Sequence, residues 1–444
     1  MLSLHGYVSG QPELGRPDTG GQVVYVLELS AHLARLGYAV DIFTRRFEDQ
    51  PAIEALGDRL RIVRIPAGGR ELIRKEWMCD VVPDWIDGAS RWIADEGPAY
   101  AFIDSHYWDA GLAGDGLARR LGVPHVHTPH SIGTWKRAQM DGEPEDLDRQ
   151  YNFGRRIRDE RRIYAAADAL VATTPQQRAI LTGPDYRVDP SRVAVIPPGY
   201  DDTRFFPVSN ATRQAIRHER GIDGPLVLAI GRIAANKGYD LLLRAMPTVV
   251  ERLPDAGLLL AVGSSSPTPG EARQVEELHE LTAELGLTTN VMFGDYIPDV
   301  ELADTYRSAD VFALSSRYEP FGMTAVEAMA CGTPAVITTE GGLWEMVDWG
   351  TEALYADPLD PPAFGHAIVS ILRDPRVADR LARDGAQRAR SSFTWTGIAQ
   401  QLVGRLQDLG ADQERPRPPA PPAARIARRD GASVETGWVP VASS

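Results

Sequence analysis

The sequence predicts an α/β protein made of two Rossmann-like domains with parallel sheets that face each other across a cleft. Short apolar runs alternate with segments of helical periodicity along most of the 444 residues, and this pattern is typical of strand–helix–strand units. The chain is too long for a single core of ordinary size, so two domains are expected. With 43% apolar and 24% charged residues, the composition is that of a globular protein with a buried interior.

The first domain is predicted over residues 1–205. Its candidate strands are LSLHG, AVDIFTR, RLRIVRIP, AFIDSH, PHVHT, ALVATT and VAVIPPGY. The segment VVYVLELSAHLARLGY follows the first strand with the period of an amphipathic helix. Residues 197–207 are rich in turn-forming residues and lack strand or helix periodicity, so they are predicted to be the linker and a hinge.

The second domain is predicted over residues 206–392. Its candidate strands are LVLAIGR, GLLLAVG, NVMFGDYI, DVFALSS and PAVITT. A last amphipathic helix, within residues 393–411, is expected to pack back on the first domain. Residues 412–444 contain six prolines and five arginines, and such a segment buries too little apolar surface to fold, so a disordered tail is predicted.

Charge and cysteine usage exclude several classes of protein. Forty-seven basic against 61 acidic residues leave a net charge of −14, which disfavours nucleic acid and acidic membranes as partners. The only two cysteines, Cys79 and Cys331, exclude a disulfide framework and favour the cytoplasm. No apolar run approaches the roughly 18 residues of a membrane span, and the first residues lack the pattern of a signal peptide.

Two loops that follow predicted strands can bind anions, because ligands of parallel sheets lie at the carboxyl ends of strands. PDTGGQ contains Gly20, Gly21 and Gln22, and adjacent glycines allow close backbone approach to a ligand. GRIAANKG contains Arg232 and Lys237, whose charges can converge with a helix dipole on one anion. A plain flexible turn and two solvated charges remain the alternative interpretations.

The segment EPFGMTAVE, residues 319–327, is the third candidate. Two carboxylates, Glu319 and Glu327, flank a helix start whose amides come from Gly322, Met323 and Thr324. This arrangement suits a sugar nucleotide, with one carboxylate for sugar hydroxyls, one for ribose hydroxyls and the amides for phosphate. A pair of hydrolytic carboxylates is less convincing, because nothing in this spacing ensures that the two oppose each other across about 5–9 Å.

Histidines cluster in HVHTPHS. His125 and His127 share a strand face, and packed or hydrogen-bonded histidines are favoured over a metal site, which needs further ligands. His130, at the end of the strand, is the candidate active-site residue. Asp146 and Asp148 form an acidic pair that is expected to lie in a solvated loop, so no bound metal and no cofactor are predicted.

Basic residues gather in the first half despite the acidic balance of the chain. They can form a pocket for a phosphorylated acceptor or remain separate surface charges, and spacing alone leaves both possible. The residues are Lys75, Lys136, Arg137, Arg155, Arg156 and Arg158.

Taken together, these residues resemble the retaining GT-B glycosyltransferases of the sucrose-phosphate synthase group, glycosyltransferase family 4. The resemblance covers about residues 1–410 and includes, in the family's order, residues 17–22, His106, HTPHS, PPGYD, GRIAANKG and the two glutamates of residues 319–327. It implies the GT-B fold and a hexosyltransferase that uses a nucleotide-sugar donor and a sugar-phosphate acceptor.

The resemblance also implies roles on the donor side. Arg232 and Lys237 would hold the diphosphate, helped by Gly21 and by the amides of Gly322, Met323 and Thr324. Glu327 would bind the ribose and Glu319 the hydroxyls of the transferred sugar. His130 would lie beside that sugar. The donor base would lie near Gly263 and Ile297.

On the acceptor side, the phosphate would be bound by Lys75, Lys136 and Arg156. Arg155 and Arg158 are the alternatives to Arg156. Gln22 would bind acceptor hydroxyls beside Gly20. The segments TRRFEDQP, SHYWDAG and SSRYEPFGMTAVEAMA are similar to members that transfer mannose from GDP-mannose to fructose 6-phosphate by a metal-independent front-face mechanism.

Two other functions stay open at this point. One is transfer of glucose from UDP-glucose to fructose 6-phosphate, although Pro129 stands where such enzymes typically have glycine. The other is a sugar-nucleotide-binding protein without turnover. The oligomeric state is not predicted.

Overall fold

The computed structural model describes residues 1–10, 20–140, 142–263, 269–294 and 296–410. The predicted disordered tail, 412–444, and the first part of the glycine-turn motif lie outside the described residues. Helices occupy α1 Gly21–Arg35, α2 Val82–Glu96, α3 Trp108–Leu121, α4 Gly133–Ala138, α5 Pro144–Tyr151, α6 Phe153–Ala166, α7 Pro175–Thr182, α8 Asn210–Glu219, α9 Tyr239–Arg252, α10 Pro269–Glu284, α11 Asp299–Ser308, α12 Met323–Ala330, α13 Pro361–Arg373, α14 Pro375–Ser392 and α15 Trp395–Asp408.

The strands alternate with these helices over most of the chain. They are β1 Val40–Arg46, β2 Ile53–Gly57, β3 Leu60–Pro66, β4 Ile103–His106, β5 His125–Thr128, β6 Ala169–Ala172, β7 Val193–Val195, β8 Leu226–Gly231, β9 Gly257–Val262, β10 Val291–Gly294, β11 Val311–Leu314, β12 Ala335–Thr338 and β13 Leu354–Ala356. Of these, β2 and β13 have no counterpart among the predicted strands.

The sheet of the first half has two ladders, β2–β3–β1 and β4–β5–β6–β7. All pairs are parallel except β2 with β3. Leu2 joins the ladders, because it bridges Phe43 on one side and Ser105 on the other. The predicted first strand is therefore reduced to a short bridging segment, but it occupies the centre of the sheet as a first Rossmann strand does.

The sheet of the second half is wholly parallel, in the order β10–β9–β8–β11–β12–β13. Its first strand, β8, is central, and the strand order reverses between β8 and β11. In doubly wound sheets this reversal opens a crevice beyond the carboxyl ends of the two strands, where ligands bind. Both loops that leave this crevice carry predicted donor-site residues.

Both faces of the second sheet are buried, as its continuous apolar strands predict. Along β11, Val311 and Ala313 belong to one core cluster, whereas Phe312 and Leu314 belong to the other. The two-residue period of a strand sends alternate side chains to opposite faces. Helices therefore cover this sheet on both sides and leave its strand ends accessible.

The chain crosses between the halves twice, and the two crossings lie side by side. The backbone N–H of Tyr200 donates to the carbonyl of Phe393 at 2.8 Å, and Gly199 packs against Trp395 so closely that a Cβ would lie 2.5 Å from its ring. Helix α15 then buries its apolar face in the same core cluster as α1. The last helix thus packs on the first half of the chain.

One local prediction is wrong. The acidic segment around Asp146 and Asp148 is helix α5 rather than a loop. It begins at Pro144, and Glu145 and Asp146 stand in its first turn, where proline is tolerated and negative charge is stabilised by the helix dipole. The side chain of Asp148 accepts the backbone N–H of Gly154. No described helix is long and apolar enough to cross a membrane.

Candidate active site

Lys237 and Glu319 meet across the crevice of the second half. Lys237 follows β8 in a short 3-10 turn, and Glu319 follows β11. The Lys237 Nζ lies 2.6 Å from Glu319 Oε2, and the Ser316 hydroxyl donates to the same carboxylate oxygen at 3.1 Å. The charged groups of the two loops therefore converge on one point above the strand ends.

Gly238 permits this close approach of the loops. Its φ is +64°, and a Cβ at this position would lie 2.1 Å from the carbonyl oxygen of Ser315, so a side chain is excluded by both conformation and space. Arg317 strengthens the junction through a bidentate ion pair with Asp240, at 2.7 and 2.6 Å. Hydrogen bonds and ion pairs therefore join the loops after β8 and β11 into one unit.

Arg232 and the start of α12 face this unit with hydrogen-bond donors. Arg232 is exposed, and its guanidinium forms no hydrogen bond or ion pair with the residues that the structure describes. At the start of α12, Gly322 adopts φ +113° and no side chain caps the helix within the described region. The first amides, at Met323 and Thr324, and the helix dipole are thus available to an anion.

Glu327 lies one turn further into α12 and is hydrogen-bonded to Tyr306, whose hydroxyl donates to Oε2 at 2.8 Å. Burial raises the pKa of the Glu327 carboxyl to about 7, although the hydrogen bond from Tyr306 opposes this rise. A carboxyl with this pKa changes protonation near neutral pH, so its ability to accept hydrogen bonds from ligand hydroxyls varies there.

On the opposite side of the cleft, Gly20 precedes α1 as its N-cap. The Gln22 amide nitrogen donates to the Ser3 hydroxyl and to the His106 carbonyl, both at 3.3 Å. These bonds hold Gln22 at the end of β4. The segment around Leu2 pairs with β4, so Gln22 lies near the centre of the first sheet.

His130 follows β5 with an uncommon backbone conformation, φ +58°. Its Nε2 lies 3.0 Å from His106 Nδ1, and its ring packs edge-on against Tyr25 with centroids 4.8 Å apart. Burial, and then the neighbouring His106 and His5, hold the pKa of His130 well below its ordinary value. His130 is thus a neutral imidazole at neutral pH.

The other two histidines of the cluster are structural. His125 and His127 are buried, and their rings share the hydroxyl of Ser105 at 2.7 and 2.8 Å. Burial lowers the pKa of His125 to about 4. No group of three or more potential metal ligands occurs in the described part of the chain, and the histidine contacts agree with the packed interpretation.

Two predicted acceptor-site lysines gather around the turn between α5 and α6. Lys136 Nζ lies 5.5 Å from the ring centroid of Tyr151. The next residue, Asn152, donates through its side chain to the carbonyl of Glu76 at 3.0 Å, and Lys75 directly precedes Glu76. The fold therefore brings Lys75 and Lys136, 61 positions apart in the sequence, to the same turn.

Arg156, for which the resemblance implies a contact with the acceptor phosphate, is a buried residue of α6. It is 2% exposed. Its Nε donates to Glu160 at 2.7 Å, its Nη1 to the Tyr107 hydroxyl at 3.0 Å, and its Nη2 to the Ser131 carbonyl at 2.6 Å. These contacts occupy the donors that a phosphate would need, so a direct phosphate contact by Arg156 stays a prediction that this conformation does not favour.

The alternatives to Arg156 differ in exposure. Arg155 pairs with Asp80 at 2.5 Å, whereas Arg158 is exposed. An important residue that sequence reasoning missed is Glu160, whose two oxygens accept the Gly133 N–H at 3.1 and 3.0 Å. The four-residue spacing of Arg156 and Glu160 was the available signal, because such pairs face each other on a helix.

The two halves touch at the candidate site. The ring centroids of Trp135 and Tyr318 lie 4.7 Å apart, and Tyr318 directly precedes Glu319. Nearby, a Cβ added to Gly342 would lie 2.0 Å from Thr174 Cγ2. Helix α4, which follows the loop that contains His130, thus faces the loop after β11 that contains Glu319.

Comparison with known proteins identifies this arrangement. Residues 20–199 match the model of the Glycosyl transferase 4-like domain, residues 212–388 that of Glycosyl transferases group 1, and residues 1–37 that of the Sucrose synthase first GT-B domain. Mannosylfructose-phosphate synthase of Agrobacterium fabrum is 50% identical over 411 residues, which cover 92% of this chain and 90% of that protein.

Two further similarities extend over nearly the whole chain. D-inositol 3-phosphate glycosyltransferase of Xylanimonas cellulosilytica is 36% identical over 425 residues. The alignment covers 94% of this chain and 97% of that protein. The solved structure of sucrose-phosphate synthase from Thermosynechococcus elongatus aligns with a TM-score of 0.78 at 31% identity, covering 92% of this chain and 98% of that one.

The fold and the paired sites define a nucleotide-sugar-dependent hexosyltransferase of the GT-B class. Within that class, the chain belongs to the glycosyltransferase family that includes mannosylfructose-phosphate synthase and sucrose-phosphate synthase. The predicted fold class and family are therefore confirmed, and a binding protein without turnover is set aside. The domain boundaries and the individual roles of the site residues stay predictions.

Proposed function

We propose that this chain transfers mannose from GDP-mannose to fructose 6-phosphate, with retention of the anomeric configuration. The observation that carries the proposal is the 50% identity, over 92% of the chain, to a relative named mannosylfructose-phosphate synthase. The supporting geometry is a cationic crevice in the second half that faces two lysines and a glutamine in the first half.

On the donor side, departure of the nucleotide builds negative charge on its diphosphate. Arg232, Lys237 and the free amides of α12 supply fixed positive charge and hydrogen-bond donors to that group, so the proposed reaction needs no metal ion. Glu327 binds the ribose. Glu319 orients Lys237 through their 2.6 Å ion pair and accepts hydrogen bonds from the transferred sugar.

The chemical step we propose is a front-face substitution. The acceptor hydroxyl attacks the anomeric carbon on the side from which the nucleotide departs, and a donor phosphate oxygen takes the hydroxyl proton. Glu319 is less suited to act as a nucleophile, because Lys237 and Ser316 already engage the same carboxylate oxygen.

On the acceptor side, Lys75 and Lys136 bind the phosphate of fructose 6-phosphate, and Gln22 binds its hydroxyls. Arg156 acts through the loop that contains Ser131. Closure of the halves around residues 197–207 excludes water from the reacting sugar. The two cysteines are free and buried, which suits a reducing compartment, so we place the reaction in the cytoplasm.

The second candidate, transfer from UDP-glucose, is kept because of the TM-score of 0.78 to a sucrose-phosphate synthase. The deciding experiment gives purified protein GDP-mannose or UDP-glucose with fructose 6-phosphate, fructose or inositol 3-phosphate. Nucleotide release and product configuration are measured. We expect turnover with GDP-mannose and fructose 6-phosphate. Preferred use of UDP-glucose, or of inositol phosphate, would overturn the proposed substrates.

Variants test the donor side. Lys237→Ala should lower kcat/KM at least about a hundredfold, the usual loss for one preorganised charge-stabilising group. Glu327→Ala should also lower kcat/KM, because the ribose hydroxyls lose their carboxylate partner. Arg244→Ala is the matched control, because Arg244 is an exposed cation on the helix that follows Lys237. Undiminished transfer by Lys237→Ala, with Arg244→Ala unchanged, would contradict the assigned role of Lys237.

A further inference from the structure

Three side chains form a line from the buried centre of the first sheet to the active-site loop. Asp104 and His106 lie two residues apart on β4 and share a face of the sheet. Asp104 Oδ2 lies 3.5 Å from His106 Nε2, and His106 Nδ1 lies 3.0 Å from His130 Nε2. Only the last of the three, His130, is partly exposed.

Asp104 is unusual because it is 0% exposed and neither of its carboxylate oxygens accepts a hydrogen bond from any described residue. An ionisable group buried in this way is costly, so its presence needs a reason. The His106 ring lies beside Asp104, and its Nε2 likewise has no hydrogen-bond partner among the described residues. The negative charge of a nearby carboxylate favours a proton on the nearer ring nitrogen.

The position of that proton determines the rest of the line. With a proton on Nε2, a neutral His106 has a lone pair on Nδ1. Nδ1 then accepts a hydrogen bond, and His130 Nε2 must donate it. His130 is left with a lone pair on Nδ1, and none of the described residues forms a hydrogen bond with this atom.

We infer that Asp104 and His106 are positioning residues that hold His130 as its Nε2–H tautomer, so that Nδ1 accepts a hydrogen bond from a substrate hydroxyl. The inference rests on the proposed function for the identity of that hydroxyl, which belongs to the transferred sugar or to the acceptor. The lowered pKa of His130 agrees, because a neutral ring offers this lone pair at neutral pH.

His106 also connects the line to the acceptor side, because its carbonyl accepts the Gln22 amide at 3.3 Å. Displacement of His106 would therefore disturb both His130 and Gln22. Further ionisable groups lie beside the line, among them His125, His127 and the Met1 amino group. His5 pairs with Asp109 at 2.9 Å, and the ring of Tyr25 packs against both His106 and His130.

The first test needs no substrate. In the free full-length protein with ¹⁵N-labelled histidine, the nitrogen shifts of His130 report which ring nitrogen carries the proton. We expect Nε2–H in the wild type. Asp104→Asn can donate to His106 Nε2 and should therefore move the proton of His130 to Nδ1. A wild-type Nδ1–H tautomer, or an Asp104→Asn variant with an unchanged tautomer, would overturn the inference.

The second test is kinetic and uses whichever donor and acceptor the wild type turns over. Asp104→Asn and His106→Leu should each lower kcat by about tenfold or more. This is the loss expected when the hydrogen bond between the neutral His130 ring and the substrate hydroxyl is missing in the reacting complex. His106→Asn should recover most of the rate, because its amide oxygen can stand in for Nδ1. If His106→Leu and His106→Asn lower kcat equally, the hydrogen bond of His106 has no effect on the reaction. That result would overturn the inference.

His125→Leu is the matched control. His125 is also a buried histidine of the first sheet, but it bonds to Ser105 and lies outside the line. The kcat of the His125→Leu variant should stay near that of the wild type. Thermal melting checks that both proteins are folded. If the wild type turns over a different substrate pair, the proposed function fails while the tautomer test still decides the inference.

Discussion

At the scale of single residues, the use of lysine is informative. The sequence contains lysine at only three positions, Lys75, Lys136 and Lys237, and arginine supplies every other fixed cation. All three belong to the candidate active site. Lysine is a compact, mobile point charge, whereas arginine is a planar fork, so the exchange of one for the other changes both reach and geometry at a site that binds a phosphate.

Glu327 gives a prediction about pH at the same scale. Its pKa is raised to about 7 by burial, whereas an unfolded glutamate has a pKa of about 4.3. The folded protein therefore binds this proton more tightly than the unfolded chain. The resulting stabilisation is full below about pH 4 and is lost as the pH rises towards about 7, by roughly 2–4 kcal/mol in all.

The Glu327→Gln variant has no carboxyl that ionises at this position, so it does not lose stability as the pH rises. Its amide oxygen can still accept the hydrogen bond from the Tyr306 hydroxyl. The variant should therefore gain stability relative to the wild type between about pH 5 and about pH 8. Thermal melting of both proteins across this range measures the effect. A difference in Tm that does not change with pH would show that Glu327 titrates near its ordinary value.

At the scale of elements, α6 acts as a support for the active-site loop. Arg156 and Glu160 lie one turn apart on its buried face, and together they bond to Ser131 and Gly133. Ser131 directly follows His130, and Gly133 is the first residue of α4. The ion pair of α6 therefore fixes the loop that presents His130 and leads into α4, which carries Lys136.

Arg156→Ala should destabilise the protein by about 3–5 kcal/mol, because it leaves the buried carboxylate of Glu160 without its cation. Arg158→Ala is the matched control on the same helix. Arg158 is exposed, so its replacement should stay within about 0.5 kcal/mol. Urea unfolding followed by circular dichroism measures both.

The same pair of variants distinguishes the two interpretations of Arg156. If Arg156 supports the loop, the unfolding free energy of Arg156→Ala falls and both kcat and the acceptor KM change. A variant with wild-type stability and a raised acceptor KM alone would instead indicate a direct contact with the acceptor phosphate.

At the scale of the whole molecule, the two halves touch through aromatic side chains at the candidate active site. Trp135 lies on helix α4, which also contains Lys136, and Tyr318 directly precedes Glu319. An edge-to-face aromatic pair contributes about 0.5–1.5 kcal/mol beyond its buried area. We therefore expect this contact to stabilise the closure of the halves that the proposed function includes.

Trp135→Ala should shift the balance towards an open cleft and admit water to the bound donor. The ratio of donor hydrolysis to sugar transfer is expected to rise roughly two- to tenfold, the factor that corresponds to the energy of one aromatic pair. Nucleotide release with and without acceptor measures this ratio. Trp349→Ala, at an exposed tryptophan away from the contact, should leave the ratio unchanged, and an equal rise in both variants would exclude the proposed contact.

The sequence by itself determined the fold class and the family, because both depend on local patterns. Strand and helix periodicity mark the elements, and the motifs around Gly21, Lys237 and Glu319 stand in contiguous segments. The same locality explains the error at Asp146. An acidic segment with little apolar periodicity predicts a loop. In the structure, the proline at the first helical position and the acidic residues of the first turn stabilise a short helix.

The tertiary structure alone decided which charged residues are buried and which are available. The sequence spacing can pair Arg156 with Glu160, but only the packing of α6 against Tyr107 and the loop at Ser131 places Arg156 in the interior. The contact of His106 with His130 likewise follows from packing. The two residues are 24 positions apart in the sequence, and the distance between their rings follows from how β4 and β5 pair rather than from any local pattern.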